Sequence, residues 1–348
     1  MTTPARPRVS ILLPCRDAEP FLPECIASLE AQTEPQYEVL TLDDGSSDCT
    51  REQLVAWAER DPRVRLLEPE GSGLVAALQR LARDARAGLL ARMDADDIAA
   101  PGRLAVQLAL LRDQPQIAAC GTGVRYFPRP AAESGYLRYE TWINGLRSPA
   151  DLGRDVFVEC PIAHPTLMVR RWVFEKIGGY RDVDGPEDYD LVLRLAEADH
   201  QIANVAEVLH EWRLGPHRIS EQSERYSSDA FRRLKISFLR RSFVPEGRPL
   251  VMWGAGKVGK AFARAWLGSG GAPVRAFVDL DPRKIGQTIH GAPVIEPADL
   301  GEIAESELDR GGRPYVLAAV GSPGARQEIR DALEAMDFRE LQDFRAVA

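Results

Sequence analysis

The chain has 348 residues, 45% apolar and 28% charged, with 44 Lys and Arg against 52 Asp and Glu for a net charge of -8. That length suits two domains, each able to bury its own core, and the apolar content excludes disorder across the whole chain. The acidic balance excludes the broad basic footprint of a nucleic-acid binder, and no apolar run reaches the roughly 18–20 residues of a membrane-spanning helix.

Met1–Pro7 leads straight into a strand-like run without the apolar core of an export signal. The five cysteines, Cys15, Cys25, Cys49, Cys120 and Cys160, show no C-x-x-C spacing. A disulfide framework and a zinc site are therefore not expected, and a reducing cytoplasm is. The first 120 residues alternate short apolar runs with helical patterns. Strands are expected at Val9–Leu13, Tyr37–Leu42, Val64–Leu67, Leu89–Met93 and Ile117–Cys120. Helices are expected between them at Phe21–Gln32, Arg51–Arg60, Leu74–Ala87 and Arg103–Arg112. Such alternation implies βαβ units, a mostly parallel sheet and functional loops at the strand C-termini. Residues 121–245 are more irregular, with helices expected at Tyr189–Ala198 and Ser227–Arg241. A second βαβ pattern begins at Pro249. The expected division is therefore a first α/β domain over 1–226, a helical linker over 227–247 and a smaller Rossmann-like α/β domain over 248–348.

Two carboxylate clusters fall where an open α/β sheet places its ligand crevice. Strand Tyr37–Leu42 ends in Asp43-Asp44-Gly45-Ser46, and strand Leu89–Met93 ends in Asp94-Ala95-Asp96-Asp97. A D-x-D at a strand end can hold a hard divalent cation, with substrate phosphates completing its shell. The same residues also serve as turn formers and helix caps. Gly185-Pro186-Glu187-Asp188 ahead of a helix adds a third acidic group.

Val9-Ser10-Ile11-Leu12-Leu13-Pro14-Cys15-Arg16-Asp17-Ala18-Glu19, then Leu29-Glu30-Ala31-Gln32-Thr33, then Asp43–Ser46 resemble the opening of the inverting, GT-A-fold glycosyltransferases of family two. That family includes cellulose and hyaluronan synthases and many bacterial surface-polysaccharide enzymes. Ala91–Asp97 resembles its D-x-D strand end and Pro186-Glu187-Asp188 its x-E-D motif, so the resemblance spans roughly residues 8–220. It implies a nucleotide-sugar donor, UDP-linked before any other, and a metal ion, Mn²⁺ or Mg²⁺. It implies that Asp44 contacts the uracil base, and that Asp94 contacts the donor ribose or the metal. Asp96 would ligate the metal between the phosphates, Asp188 would be the general base, and Glu187 would shape the acceptor site. Pro14 and Asp17 would line the nucleobase pocket. The chain departs from the family at Gln79, where Asn is usual, and at Cys15-Arg16, where Tyr-Asn is usual. For the metal-binding histidine that often follows the x-E-D helix, His217 is the candidate and His210 the runner-up. His164, in His164-Pro165-Thr166, is assigned to the acceptor side.

In the second domain, Leu250–Trp253 precedes Gly254-Ala255-Gly256-Lys257-Val258-Gly259 and a helix expected at Lys260–Leu267, with Asp279 closing the next strand. Strand, G-x-G-x-x-G, helix and spaced acid form the dinucleotide fingerprint. A nucleotide or dinucleotide held by Gly254, Gly256, Gly259 and Asp279 is one reading; a purely scaffolding Rossmann-like module is the other. No Tyr-x-x-x-Lys hydride-transfer pair accompanies it. The expected activity is transfer from a nucleotide sugar to a glycan or lipid-linked acceptor in surface-glycan assembly. The rivals are an NAD(P)-binding oxidoreductase or nucleotide sensor dominated by the second domain, and a metal-dependent phosphohydrolase. The basic stretch Arg232–Arg241 allows at most peripheral contact with the inner face of a membrane, and its poorly segregated faces suit an interdomain helix better. The oligomeric state is left open.

Overall fold

The computed structural model describes residues 6–130, 135–215, 223–306, 313–322 and 324–348. The chain divides into two units: residues 1–153 with 161–223, and residues 154–160 with 224–348. The short stretch 154–160, inside the sequence of the first unit, folds with the second.

In the first unit, β1 (Val9–Cys15), α1 (Leu22–Glu30), β2 (Tyr37–Asp43), α2 (Thr50–Arg60), β3 (Val64–Leu66), α3 (Leu74–Asp84) and β4 (Leu89–Arg92) form the expected βαβ alternation. β1 pairs in parallel with β2 and β4, and β2 with β3. Val9, Ile11 and Leu13 on one face and Ser10 and Leu12 on the other are all buried. A parallel strand covered on both faces reads as a near-continuous apolar run for this reason. Ser10, polar in that run, donates to Glu38 Oε1 at 2.7 Å and accepts from the Ala87 N–H at 3.0 Å. No buried hydroxyl is left unmet there.

After β5 (Ile98–Ala99) and α4 (Arg103–Asp113), the strand expected at Ile117–Cys120 runs on as β6 (Ile117–Phe127). α5 (Gly135–Gly145), α6 (Pro149–Asp155), β7 (Met168–Arg170), α7 (Arg171–Lys176), α8 (Glu187–Glu197) and β8 (Gln201–Arg213) follow. The sheet order is β3-β2-β1-β4-β7-β6-β8-β5. β7 runs antiparallel to β4 and β6, and β5 antiparallel to β8. β8 carries no alternation signal because its pairing with β6, which runs its whole length, shifts register, while β5 pairs with its other edge at His210 and Glu211. Its far end is thereby carried to the turn that follows β4.

The second unit comprises α9 (Ser228–Phe238), β9 (Leu250–Trp253), α10 (Lys257–Gly268), β10 (Val274–Val278), β11 (Thr288–Ile289), β12 (Ala292–Ile295), α11 (Asp299–Ser306), β13 (Tyr315–Ala318), α12 (Ala325–Ala335) and β14 (Phe344–Ala346). Its sheet order is β11-β12-β10-β9-β13-β14, parallel except for the β11–β12 pair. α9 starts with a Ser227 cap whose side chain accepts the Ala230 N–H, and it belongs to this unit rather than standing apart as a linker. Asp155 is paired with Arg330 at 2.6 Å and Arg326 at 3.4 Å, while Lys235 Nζ donates to the carbonyls of Val158 at 2.7 Å and Val347 at 3.3 Å. These bonds fasten 154–160 into the second unit.

Candidate active site

The C-terminal ends of β1, β2 and β4 carry the acidic groups. Pro14 is the penultimate residue of β1, and Asp17 just beyond the strand takes a left-handed backbone with φ of 46°. Its Oδ1 accepts the Ser47 N–H at 2.7 Å and the Ser47 hydroxyl at 3.0 Å, and its own N–H donates to Ser46 Oγ at 2.9 Å. Asp17 therefore ties the loop after β1 to the loop after β2. Asp44 accepts the Gly73 N–H on both oxygens, at 3.0 and 2.9 Å, and Arg16 lies 3.9 Å from it. Gly73, at φ 90°, opens α3 in a conformation that disfavours a side chain, so Asp44 is anchored to that helix start.

The turn after β4 brings Asp94, Asp96 and Asp97 together, with one carboxylate oxygen of each within 4.8 Å of the others. They are not equivalent. Asp97 is 1% exposed; its Oδ2 lies 2.7 Å from His210 Nε2, and its Oδ1 accepts the Arg213 N–H at 2.8 Å. Burial, with Arg103 next, pushes the His210 imidazole well below its ordinary pKa, so the ring is neutral and donates from Nε2. Arg213 Nε also donates to the Asp96 carbonyl at 2.6 Å. β8 thus clasps the turn from below through Asp97, while Asp94 and Asp96 are half-buried at its surface. Two carboxylates on a strand-end turn fit a hard divalent cation by donor type and by spacing. Asp94 and Asp96 are the pair placed to hold one, and His210, fully enclosed and bonded to Asp97, is not placed to join them.

α8 begins at Glu187 behind an extended Pro186, and Glu187, Asp188 and Asp190 in its first turn complement the helix dipole. Asp188 is half-buried and its Oδ1 accepts the Tyr189 N–H at 2.8 Å. Glu187 is 1% exposed. Its carboxylate is thus buried at the head of α8. It lies 3.8 Å from His164 Nδ1, and His164 Nε2 shares a 2.8 Å hydrogen bond with the Tyr180 hydroxyl. Burial, then Arg92, holds His164 well below the usual imidazole range, and burial raises the Tyr180 phenol. His164 is therefore a neutral, inward-bonded ring in a turn, His164–Thr166.

Arg92 went unnoticed in the sequence. Its side chain is 3% exposed and donates to Asp94 Oδ1 and to the Met93 carbonyl. Burial works against its charge, but Asp94, Tyr180 and Glu187 outweigh that and raise its pKa. Arg103, buried beside it, donates to the Arg92 carbonyl at 2.6 Å. A buried cation of this kind gives no amphipathic signal; only its position two residues before the D-x-D turn could have marked it. His217 lies outside the described residues.

In the second unit, the loop after β9 opens α10 at Lys257, three residues earlier than expected, so Gly259 sits in the helix's first turn. A Cβ at Gly259 would stand 1.8 Å from the Gly254 carbonyl oxygen, and one at Gly254 2.8 Å from that of Ala319; at Gly256 it would meet nothing within 4 Å. Asp279 accepts the Ala255 N–H at 2.9 Å and Lys284 Nζ at 3.0 Å. Burial opposes its charge, but the N–H groups of Asp281 and Ala255 and the Lys284 ammonium outweigh it and lower its pKa. The acid thus braces the glycine loop itself.

Comparison with known proteins places residues 10–178 in the family described as "Glycosyl transferase family 2". The chain is 29% identical over 212 residues to the O-antigen biosynthesis glycosyltransferase WbnJ of Escherichia coli, covering 59% of this chain and 79% of that protein. Among solved structures it is similar to residues 1–349 of S. aureus TarS in complex with UDP-GlcNAc, with a TM-score of 0.55, 13% identity, and coverage of 69% of this chain and 68% of that one. It is also similar to the mannosyltransferase PcManGT of Pyrobaculum calidifontis in complex with GDP-Man and Mn²⁺, with a TM-score of 0.51, 18% identity, and coverage of 98% and 88%. These likenesses give the first unit its fold class, GT-A.

Proposed function

We propose that this glycosyltransferase, whose residues 10–178 belong to family 2, transfers a sugar from a UDP-linked donor to a hydroxyl acceptor in bacterial surface-glycan assembly, with inversion and with a divalent metal. The carrying observation is the unequal D-x-D turn: Asp97 is committed to β8, and Asp94 and Asp96 stand at the surface within 4.8 Å. WbnJ's name supports the polysaccharide setting, and the donor complexes of TarS and PcManGT support a nucleotide sugar.

Asp94 and Asp96 would hold the metal, which when bound supplies Lewis-acid neutralisation of the departing diphosphate. The remaining work falls to the chain's own groups. Pro14, Asp17 and Asp44, on the tied loops after β1 and β2, line the place for the nucleoside. Asp188, half-buried at the head of α8, takes the proton from the acceptor hydroxyl as that oxygen attacks the anomeric carbon. A single displacement from the face opposite the leaving group inverts the configuration. Glu187, His164 and Tyr180 position that helix start from beneath. The loop at Gly254, Gly256 and Gly259 with Asp279 is given no step in this reaction.

Isothermal titration of UDP-GlcNAc into the full chain with Mn²⁺ tests the metal assignment. Asp96→Ala should abolish Mn²⁺-dependent binding while leaving the thermal unfolding temperature within a few degrees. Donor affinity equal to that of the unaltered chain would overturn it.

A further inference from the structure

The donor carboxylate and the base helix come from different elements, β4 and α8, and one buried cation lies between them. Resting on the assignments above, we propose that Arg92 is a positioning residue that sets Asp94 against the Glu187–His164–Tyr180 cluster. At 3% exposure its side chain cannot reach donor or acceptor, so any effect on turnover must pass through its neighbours. Its backbone is fixed on both sides: the N–H donates to the Leu167 carbonyl at 2.8 Å, and the carbonyl accepts from Arg103 at 2.6 Å. Leu167 directly follows the His164–Thr166 turn, and Ala91 pairs with Met168 in the β4–β7 register, so that turn is stitched alongside Arg92. From His164 the chain of contacts continues to Tyr180 at 2.8 Å and to Glu187 at 3.8 Å.

The guanidinium fork is used at two points, Asp94 Oδ1 and the Met93 carbonyl. The first orients the donor-side carboxylate and the second fixes the backbone of the D-x-D turn. A lysine ammonium keeps the charge but not the planar fork. Glu187, 1% exposed, is a buried carboxylate whose charge acts on Arg92, and removing one member of a buried charge set leaves the other uncompensated. Replacing both partners by neutral groups is far better tolerated.

The test uses the full chain with UDP-GlcNAc and Mn²⁺, reading UDP release and calorimetric affinity for Arg92→Lys, Arg92→Gln, Glu187→Gln and the Arg92→Gln/Glu187→Gln double variant. Arg92→Lys should raise donor KM about tenfold with kcat within about threefold, because charge survives and orientation does not. Arg92→Gln should lose about 100-fold in kcat, and the double variant should regain at least about fivefold over it, a non-additivity that a loss of packing does not produce. Arg92→Lys, which preserves charge and most of the volume, serves where Arg92→Gln does not fold. Wild-type kinetics in either Arg92 variant, or strict additivity in the double variant, overturns the proposal. Asp96→Ala separates the two levels: if it binds donor as the unaltered chain does, the metal reading fails and this proposal with it. If Asp96→Ala is inert while Arg92→Gln is fully active, only the positioning role fails.

Discussion

Asp97→Ala is the substitution whose cost the structure fixes most closely. Asp97 is 1% exposed and accepts two hydrogen bonds, from the Arg213 N–H at 2.8 Å and from His210 Nε2 at 2.7 Å. Alanine leaves both donors without an acceptor inside the protein. His210 Nδ1 already has no hydrogen-bond partner, so the whole ring would lose its polar contacts. An unmet buried donor costs about 1–3 kcal/mol, so the two together cost about 2–6 kcal/mol, more than many surface changes sum to. Asp97→Asn should cost less, about 1–3 kcal/mol, for a specific reason. Its Oδ1 still accepts from Arg213, but its NH₂ faces His210 Nε2, and the ring must move its proton to the unpartnered Nδ1. Urea denaturation followed by tryptophan fluorescence measures both, with Trp57, Trp142, Trp172 and Trp212 reporting on the first unit. A loss under about 1 kcal/mol for Asp97→Ala, or an Asn variant as unstable as the Ala variant, would refute the clasp.

Three further outcomes follow from the same geometry. His164 and His210 are held neutral by burial, so the unfolded chain takes up their protons first and stability falls as pH drops through about 6.5; two such groups give a slope of about 2.7 kcal/mol per pH unit below that point. Denaturation midpoints that stay flat from pH 7 to pH 5.5 would contradict it. Gly259→Ala should lower the second unit's melting temperature, since its Cβ would stand 1.8 Å from the Gly254 carbonyl, whereas Gly256→Ala, with open space, should be neutral or slightly stabilising by calorimetry. A chain cut after residue 245 retains Asp155 and Lys235 but loses Arg326, Arg330 and the Val347 carbonyl that meet them, and size-exclusion chromatography should show aggregation rather than a monodisperse active fragment.

The βαβ alternation of residues 9–113 was legible because parallel strands buried on both faces read as near-continuous apolar runs. The placement of Asp44, Asp94 and Asp96 beyond strand ends and of Asp188 at a helix head was legible, because short apolar runs ending in acidic turns mark those positions. β8 was not, since a strand whose pairing shifts register along its length obeys no single alternation. His210 was named only as a runner-up metal ligand, and its bond to Asp97 escaped because the two lie 113 residues apart in sequence; Arg92 and Tyr180 escaped because burial, not spacing, marks them. The stretch 154–160 shows the limit of reading boundaries from composition, because its place in the second unit is set by Arg326 and Arg330, far along the chain.

The central claim is that donor binding and proton removal are carried by different acids, Asp96 on the β4 turn and Asp188 on α8. Asp188→Asn separates them in one measurement, pairing calorimetric affinity for UDP-GlcNAc in Mn²⁺ with the rate of sugar transfer to an acceptor glycan. Donor affinity should be unchanged and the transfer rate lower by about 10²–10⁴-fold. An Asp188→Asn enzyme that transfers at the unaltered rate would contradict it.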